Sequence, residues 1–551
     1  MKIEHNNSTG TLFKHVSALI FFLSASMLNG QNNSCNYFYR VYFCDKGPDP
    51  TINAASLLSE RAINRRSKAG IDFPDFRDLP VCGDYIDEVR SLGLTLHCCS
   101  KWLNTGLFKT FVPFNTDMLL NLPFVKEVRI VKSPADKSSF TDKLDFSLDQ
   151  SDVPAYDQHL TMINGHLLHN SGFDGKGILI AVNDGGFLYA DEISSLETLR
   201  SRKGIKATRD FVSGNKSVYD YHTHGTAVLS VLAGQIGGII KGTAPGADYM
   251  LFRTEDTSDE FPVEEDFWVA AAEYADSAGA DIITSSLGYA YFDDPSLNYK
   301  FSDMDGNSTF ITKAADIAAS KGILVFSSAG NERNKTWIRI LAPSDGDSVM
   351  CIGAVDSYGT ISAFSSAGPS ADGRIKPDNS VMGVNVIVQV SPVNIGKASG
   401  TSFSCPVLSG ISACLLQAVP PATNTGIIRA IQGSGHRFNL PDSLYGYGIP
   451  DMSVSLKILQ DKYLKIPDKP VIIAPNPTTG NLELLFRETP DHIRTEIYTS
   501  AGKLIFRRDI DNFTGRYLRI TALNNREQGI YFLKITTGTG VHVHKIIKLD
   551  G

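Results

Sequence analysis

Three polar side chains stand where apolar runs break off. Asp184 follows Ile178-Leu-Ile-Ala-Val-Asn183 and precedes Gly185-Gly186, His224 lies in Asp220-Tyr-His-Thr-His224-Gly-Thr-Ala-Val228, and Ser402 lies in Ala398-Ser-Gly-Thr-Ser402-Phe-Ser-Cys-Pro406 at the mouth of an apolar helix. A neutral serine hydroxyl is a poor nucleophile. Acyl transfer from it needs an imidazole to take the proton and a carboxylate to fix the imidazole tautomer and balance its charge. The start of the Ser402 helix also turns backbone N–H groups and a positive dipole end toward a developing oxyanion. Asn331, in Ser327-Ser-Ala-Gly330-Asn331 just beyond an apolar run, is placed to add a side-chain donor. Each motif alone is ordinary, since such Asp, His and Gly-Thr-Ser groups commonly serve as caps, local hydrogen bonders and turns. Their joint order Asp, His, Asn, Ser within one domain is what points to nucleophilic catalysis.

The elements that must position them alternate. Between about 176 and 420, β-like runs at 178–183, 281–287 and 322–327 are interleaved with helical runs at 226–233, 267–277, 312–320 and 403–418. This predicts an α/β fold, a doubly wound and mostly parallel sheet with helices on both faces and its site at the carboxyl ends of the strands. Pro406 is expected in the first turn of its helix. Ahead of this catalytic unit, placed at 155–460, residues 31–132 read as a small α+β domain. Its strand-like runs lie at 37–43, 109–112 and 125–131, and its helical runs at 54–68 and 86–92. The charged, Ser/Asp-rich stretch 133–154 reads as a linker exposed enough to be cut. Beyond the stiff join carrying Pro467, Pro470, Pro475 and Pro477, residues 466–551 alternate in short strands with turn signals, the pattern of an all-β sandwich.

Composition narrows the function classes. Of 551 residues, 52 are Lys or Arg and 59 Asp or Glu, a net charge of −7 that gives no positive field for nucleic acid. Apolar residues at 42% and charged ones at 20% fit a globular chain and exclude a disordered one. Lys14 and His15 precede an apolar stretch at 16–28, shorter than the ~20 residues of a bilayer span and suited to an export signal occupying 1–30; a buried N-terminal helix is the alternative. The eight cysteines lack the paired spacing of a structural zinc site, and in an exported chain they can form disulfides whose connectivity the sequence does not give. Asp303-Met-Asp305-Gly-Asn307 begins like a calcium loop but lacks the later bidentate Glu, so a plain Asp-Gly turn is the simpler reading. No cofactor is required by this chemistry; a structural calcium ion is left open, with no ligands assigned.

With these motifs in hand, the chain resembles the subtilisin-like serine proteases over about residues 155–455. The family's boxes stand here as Ala181-Val-Asn-Asp184-Gly-Gly, His224-Gly-Thr and Gly400-Thr-Ser402-Phe-Ser-Cys-Pro406, with Gly242-Thr-Ala-Pro-Gly-Ala247 and Ser285-Ser-Leu-Gly288 also family-like. The resemblance implies Asp184 as orienter, His224 as base then acid, Ser402 as nucleophile and Asn331 as oxyanion donor, in an endopeptidase acting on polypeptides through an acyl-enzyme. It also implies that extended substrate pairs beside 285–289. Ser286, Leu287 and Gly288, with Ser328, Ala329 and Gly330, are then the walls of the first specificity pocket, with room for a large apolar side chain, and Tyr289 narrows a neighbouring subsite. Four departures stand out: Gly185 where Ser, Thr or Ala is common, Asn183 where an apolar residue is usual, Ala227 in place of a second His, and Cys405 in place of a small polar residue. His224 is preferred over His222 because only it carries the following Gly-Thr, and Cys405 reads as a packing residue rather than a redox control.

The flanks carry resemblances too. Residues 36–132, with Leu58-Ser-Glu-Arg-Ala-Ile63, Asp78-Leu-Pro-Val81 and Ser100-Lys-Trp-Leu-Asn104, look like the prodomain of Bacteroidota subtilases, which implies an intramolecular inhibitor and a zymogen. The tail, with Ala474-Pro-Asn-Pro-Thr-Thr-Gly480 and Gly529-Ile-Tyr-Phe-Leu-Lys-Ile535, is similar to the sorting domain of type IX secretion cargo. That implies the secretion machinery as a partner and passage through the periplasm to the cell surface or beyond; an accessory carbohydrate- or protein-binding sandwich is the alternative. A monomer is expected, with no nucleic-acid partner. The rival functions are a catalytically idle subtilase fold used for surface binding or adhesion, and an esterase or peptide transferase using the same triad.

Overall fold

The structure is a computed structural model and describes residues 37–48, 57–134, 144, 146–151, 157–464 and 470–549. The expected export signal and Pro467 lie outside the described residues. At the amino end, β1 (Tyr37–Phe43), β2 (Thr95–Ser100), β3 (Thr105–Thr110) and β4 (Val125–Lys132) form an antiparallel sheet in the order β2-β3-β1-β4, accompanied by α1 (Glu60–Lys68) and α2 (Gly83–Ser91). The Ser59 hydroxyl accepts the Ala62 N–H and so caps α1. Strand β2 was not legible in the sequence: it is mostly half-buried and slips register between Leu96 and Cys98, which blurs its period-two pattern.

The central sheet supplies the scaffold of the site. Strands β5 (Leu179–Asp184), β6 (Ile205–Asp210), β7 (Asp248–Arg253), β8 (Ile282–Ser285), β9 (Leu324–Ser328), β10 (Val349–Val355) and β11 (Asn379–Met382) pair in parallel in the order β11-β10-β9-β8-β5-β7-β6. β5 is buried along its whole length, with Ile180 and Val182 in one apolar layer and Leu179 and Ala181 in the other. Helices α3 (His224–Ala233) and α6 (Thr401–Ala418) contribute to the first layer, and α4 (Val263–Ala278) and α5 (Phe310–Ser320) to the second. The strand order reverses direction at β5, between β8 and β7, so Asp184 emerges at a topological switch point.

Helix α6 begins at Thr401, two residues before the expected start, so Pro406 is its sixth residue and not in the first turn. Proline has no N–H to return to the Ser402 carbonyl four residues back. The Ser286 hydroxyl donates to that carbonyl instead, at 2.9 Å, so the break costs no unpaired acceptor. An antiparallel hairpin, β12 (Val386–Gln389) and β13 (Ile395–Ala398), leads into this helix.

The amino-terminal sheet lies against α4 and α5: Phe38, Trp102, Leu107 and Val131 share a buried layer with Phe267, Phe310 and Ile311. Arg40 bonds both oxygens of Asp266 at 2.9 Å, with its guanidinium 3.5 Å from the centre of the Phe310 ring. Arg66 spans Asp78 at 2.7 Å and Asp276 at 2.6 Å. Gly279, in the left-handed region at φ +90, closes α4, and a Cβ there would lie 2.8 Å from the Ala62 nitrogen, so the same glycine lets α1 dock.

After residue 470, β14 (Val471–Ala474), β15 (Leu482–Phe486) and β18 (Tyr517–Ile520) form one antiparallel sheet, ordered β14-β15-β18. β16 (His492–Thr499), β17 (Leu504–Asp511), β19 (Gly529–Thr537) and β20 (Gly540–Lys548) form the other, ordered β17-β16-β19-β20. The two enclose a core of their own, including Leu484, Ile497, Leu518 and Leu533.

Candidate active site

Asp184 is fully buried at the end of β5, and His224 opens α3 almost as deeply buried. The His224 Nδ1 meets Asp184 Oδ1 at 2.8 Å and Oδ2 at 3.0 Å, and the Gly185 N–H donates to Oδ1 at 2.8 Å. The helix reaches the strand because residue 225 is glycine: a Cβ there would collide with the Gly186 carbonyl and lie 2.9 Å from Phe187 Cε1. His222 plays a different part, accepting the His224 backbone N–H on its Nδ1 at 3.1 Å at the helix start. Asn183 is buried with neither amide atom bonded, and nothing in the structure explains that.

Ser402 stands at the second position of α6, where backbone N–H groups have no intrahelical acceptor. Its hydroxyl donates to the Ser286 carbonyl at 3.3 Å, so handing a proton to His224 requires it to rotate away from that partner. Asn331 is held by its carbonyl end: Oδ1 accepts the Thr401 N–H at 2.9 Å and the Thr401 hydroxyl at 3.0 Å. The Nδ2 end is thereby left toward Gly400, two residues before Ser402, 3.5 Å from where a Cβ on it would lie. Thr401 also ties the two loops together by accepting the Gly330 N–H at 3.2 Å.

One cleft of about 460 Å³ is lined by His224, Ser402, Asn331, Ser286, Leu287, Gly288, Ser328 and Gly330. Ala329 is not on its wall; it is fully buried behind it with Ile340 and Cys351. Leu341 lines the same cleft. It lies beside both walls, 2.7 Å from where a Cβ on Gly288 would lie and 2.8 Å from one on Gly330. Tyr289, expected to narrow a subsite, is buried and off the cleft lining; its hydroxyl donates to Glu255, which is on the lining. Cys405 is buried beside the Ser285 carbonyl, and burial pushes its thiol up to about 12, so it packs rather than reacts.

Two further groups of carboxylates bear on cations. Asp305 accepts the Asn307 and Ser308 N–H groups at 2.8 and 2.7 Å, and Asp303 accepts the Lys300 N–H at 2.8 Å, the bonding of plain turns. Glu255 and Glu260 on the cleft wall, with Glu264 behind them, each bring an oxygen within 4.8 Å of the others, a grouping that could hold a cation, with the Tyr289 hydroxyl on Glu255 and the Asp256 N–H on Glu264 at 2.7 Å.

The sequence reading passed over Leu341, Leu144 and Phe146, which also line the cleft. Leu341 carries no motif. The linker residues did carry a signal, since Leu144, Phe146 and Leu148 recur at every second position of a polar stretch. The segment 133–154 is therefore not simply exposed: Leu144 is buried, and Phe146 meets His224 edge-on with ring centres 5.8 Å apart.

Comparison with known proteins gives three family matches. Residues 175–448 match the subtilase family, 38–145 the peptidase S8 propeptide domain of Bacteroidota, and 472–549 the secretion system C-terminal sorting domain. A thermostable alkaline protease of Halalkalibacterium halodurans is 29% identical over 291 residues, 53% of this chain and 70% of that protein. Subtilisin E of Bacillus subtilis is 27% identical over 274 residues, 49% of this chain and 63% of that protein, so the match spans less than two thirds of its length. Among solved structures, the MycP3 protease from the type VII (ESX-3) secretion system aligns with TM-score 0.45 and 21% identity over 57% of this chain and 91% of that one.

Proposed function

We propose, from a chain that carries a subtilase domain between a Bacteroidota-type propeptide and a C-terminal secretion sorting domain, that it is an exported serine endopeptidase made as a zymogen. The observation that carries this is the buried His224 with its Nδ1 on both oxygens of Asp184, opening onto the cleft that holds Ser402 and Asn331. Asp184 fixes the tautomer in which Nε2 is free to accept a proton. Ser402 Oγ attacks the peptide carbonyl as its proton passes to His224. The oxyanion is met by the Ser402 N–H and the Asn331 amide, which Thr401 holds in place. His224 then protonates the leaving amine, and water releases the acyl group by the same steps reversed.

Leu341 makes the first pocket shallow, so a small side chain before the scissile bond suits it better than a large apolar one. The propeptide domain covers α4 and α5 and acts as intramolecular inhibitor, and the tail addresses the chain to the type IX machinery, for release or display at the surface. A fluorophosphonate probe should label Ser402 once, and Ser402→Ala should lose label and proteolysis together. Borrowed from subtilisin, a relative of this chain, the loss is about 10⁶-fold in kcat. An unlabelled wild type that binds other molecules at a surface would favour the idle module instead, and products that depend on an added acceptor amine would favour a transferase.

A further inference from the structure

The end of β8 and helix α6 meet through a row of small polar side chains. Successive residues of an extended chain face opposite ways. Ser285 turns to α4, where its hydroxyl accepts the Trp268 indole N–H at 3.0 Å, whereas Thr284 and Ser286 turn to α6. On the helix the partners recur at 402, 405 and 409, the spacing of one face. The Ser409 hydroxyl donates to the Thr284 hydroxyl at 3.0 Å, and Cys405 Sγ lies 3.5 Å from that same oxygen and 3.7 Å from the Ser285 carbonyl. At the cleft end the exchange becomes reciprocal. The Ser402 hydroxyl donates to the Ser286 carbonyl at 3.3 Å, and the buried Ser286 hydroxyl donates back to the Ser402 carbonyl at 2.9 Å. The second of these bonds follows from Pro406. A helix carbonyl is ordinarily held by the N–H four residues on, and for Ser402 that N–H is missing. The Ser402 peptide unit is therefore fixed by a side chain of the cleft wall instead of by its own helix.

We propose that Ser286 is a positioning residue for the nucleophile: its hydroxyl holds the Ser402 carbonyl and thereby sets the nucleophile in register with the cleft wall. The inference rests on the protease function proposed above and gives a second role to a residue otherwise read as part of a pocket wall. During attack the Ser402 hydroxyl must leave the Ser286 carbonyl for His224, so its own bond to the wall is given up at the moment when placement matters most. The bond from the Ser286 hydroxyl persists through that rotation, because it is made to the Ser402 backbone and not to the moving side chain. Ser286 neither takes nor gives the proton of the reaction. It acts through the position of Ser402, whose N–H must at the same time meet the oxyanion.

The test is a double-mutant cycle on the purified enzyme: wild type, Ser286→Ala, Pro406→Ala and the pair, each measured for kcat and KM on a peptide substrate and for the rate of fluorophosphonate labelling. Ser286→Ala keeps the backbone carbonyl and removes the one bond. It should lower kcat and the labelling rate by roughly 3- to 10-fold, the size of one net hydrogen bond, and leave KM within about twofold. Pro406→Ala restores an N–H at the place that faces the Ser402 carbonyl, so in that background Ser286→Ala should cost less than about twofold. A rise in KM with kcat unchanged overturns the positioning role and leaves Ser286 as a wall residue; this split reads the role even where Pro406→Ala does not fold. An equal loss in both backgrounds also overturns it, because the hydroxyl then acts on something other than the Ser402 carbonyl. Wild type that neither takes the label nor turns over peptide overturns the protease function itself, and this proposal with it.

Discussion

Leu341 is where specificity and sequence separate. Deepening the pocket by Leu341→Ala removes apolar volume at about 0.8 kcal/mol per methylene, so kcat/KM for substrates with Phe or Leu before the cut should rise on the order of 10- to 100-fold relative to Ala. A paired set of peptides differing only at that position checks it, and an unchanged ratio would mean that the side chain binds elsewhere. The placement of the proposed triad was legible because such chemistry sits at strand ends and helix starts: Asp184 ends β5, His224 is the first residue of α3 and Ser402 the second of α6. Pocket depth was not legible. Leu341, from a different loop, lies against both Gly288 and Gly330, and Ala329 is buried behind the walls with Ile340 and Cys351.

Helix α4 shows what an element contributes beyond positioning. Its first turn carries Glu264, Glu265 and Asp266, a favourable arrangement at a helix N-terminus, and all three are buried. Burial pushes Glu265 up to about 7, against the lowering effect of Arg40 and of the Tyr299 hydroxyl that donates to it at 2.7 Å. Because its ordinary value lies lower, the carboxyl takes up a proton on folding between the two values. Its contribution to stability is then fully present below the ordinary value and is lost as pH rises through about 7. Glu265→Gln keeps an acceptor for Tyr299 and removes the titration, so in a Ser402→Ala background the fall in urea stability between pH 5 and 8 should flatten; an unaltered slope would place the titration on another group. Of the seven central strands, β5, β8 and β9 were readable from apolar runs alone, as were the helices on the faces of the sheet, because these strands are covered on both faces. The start of α6 was read at 403, with Pro406 in the first turn where a missing N–H costs little; it begins at Thr401 instead, and the Ser286 hydroxyl, 116 residues away in sequence, replaces the missing backbone donor.

At the scale of the whole molecule the two flanking domains are attached by different physics. The prodomain meets the catalytic body through buried ion pairs such as Arg40 with Asp266 and Arg66 with Asp276, each joining residues more than 200 positions apart. No periodicity in the sequence announces such pairs. The sandwich has its own core and meets the body away from the cleft: Tyr517 stacks on Phe173 at 5.6 Å, Arg516 pairs with Asp461 at 2.9 Å and its N–H donates to Gln460 at 2.6 Å. None of these residues lines the cleft. Ending the chain after residue 464 should therefore leave fluorophosphonate labelling and peptide turnover within about twofold. It should lower Tm by roughly 2–4 °C for about 1 kcal/mol of lost packing, and stop delivery outside the cell. Labelling rate, thermal scans and fractionation of the producing cells read the three separately. Loss of labelling in a folded truncated chain would mean that the sandwich braces the catalytic domain, because a domain that only addresses the protein for export has no route to the Asp184–His224 pair.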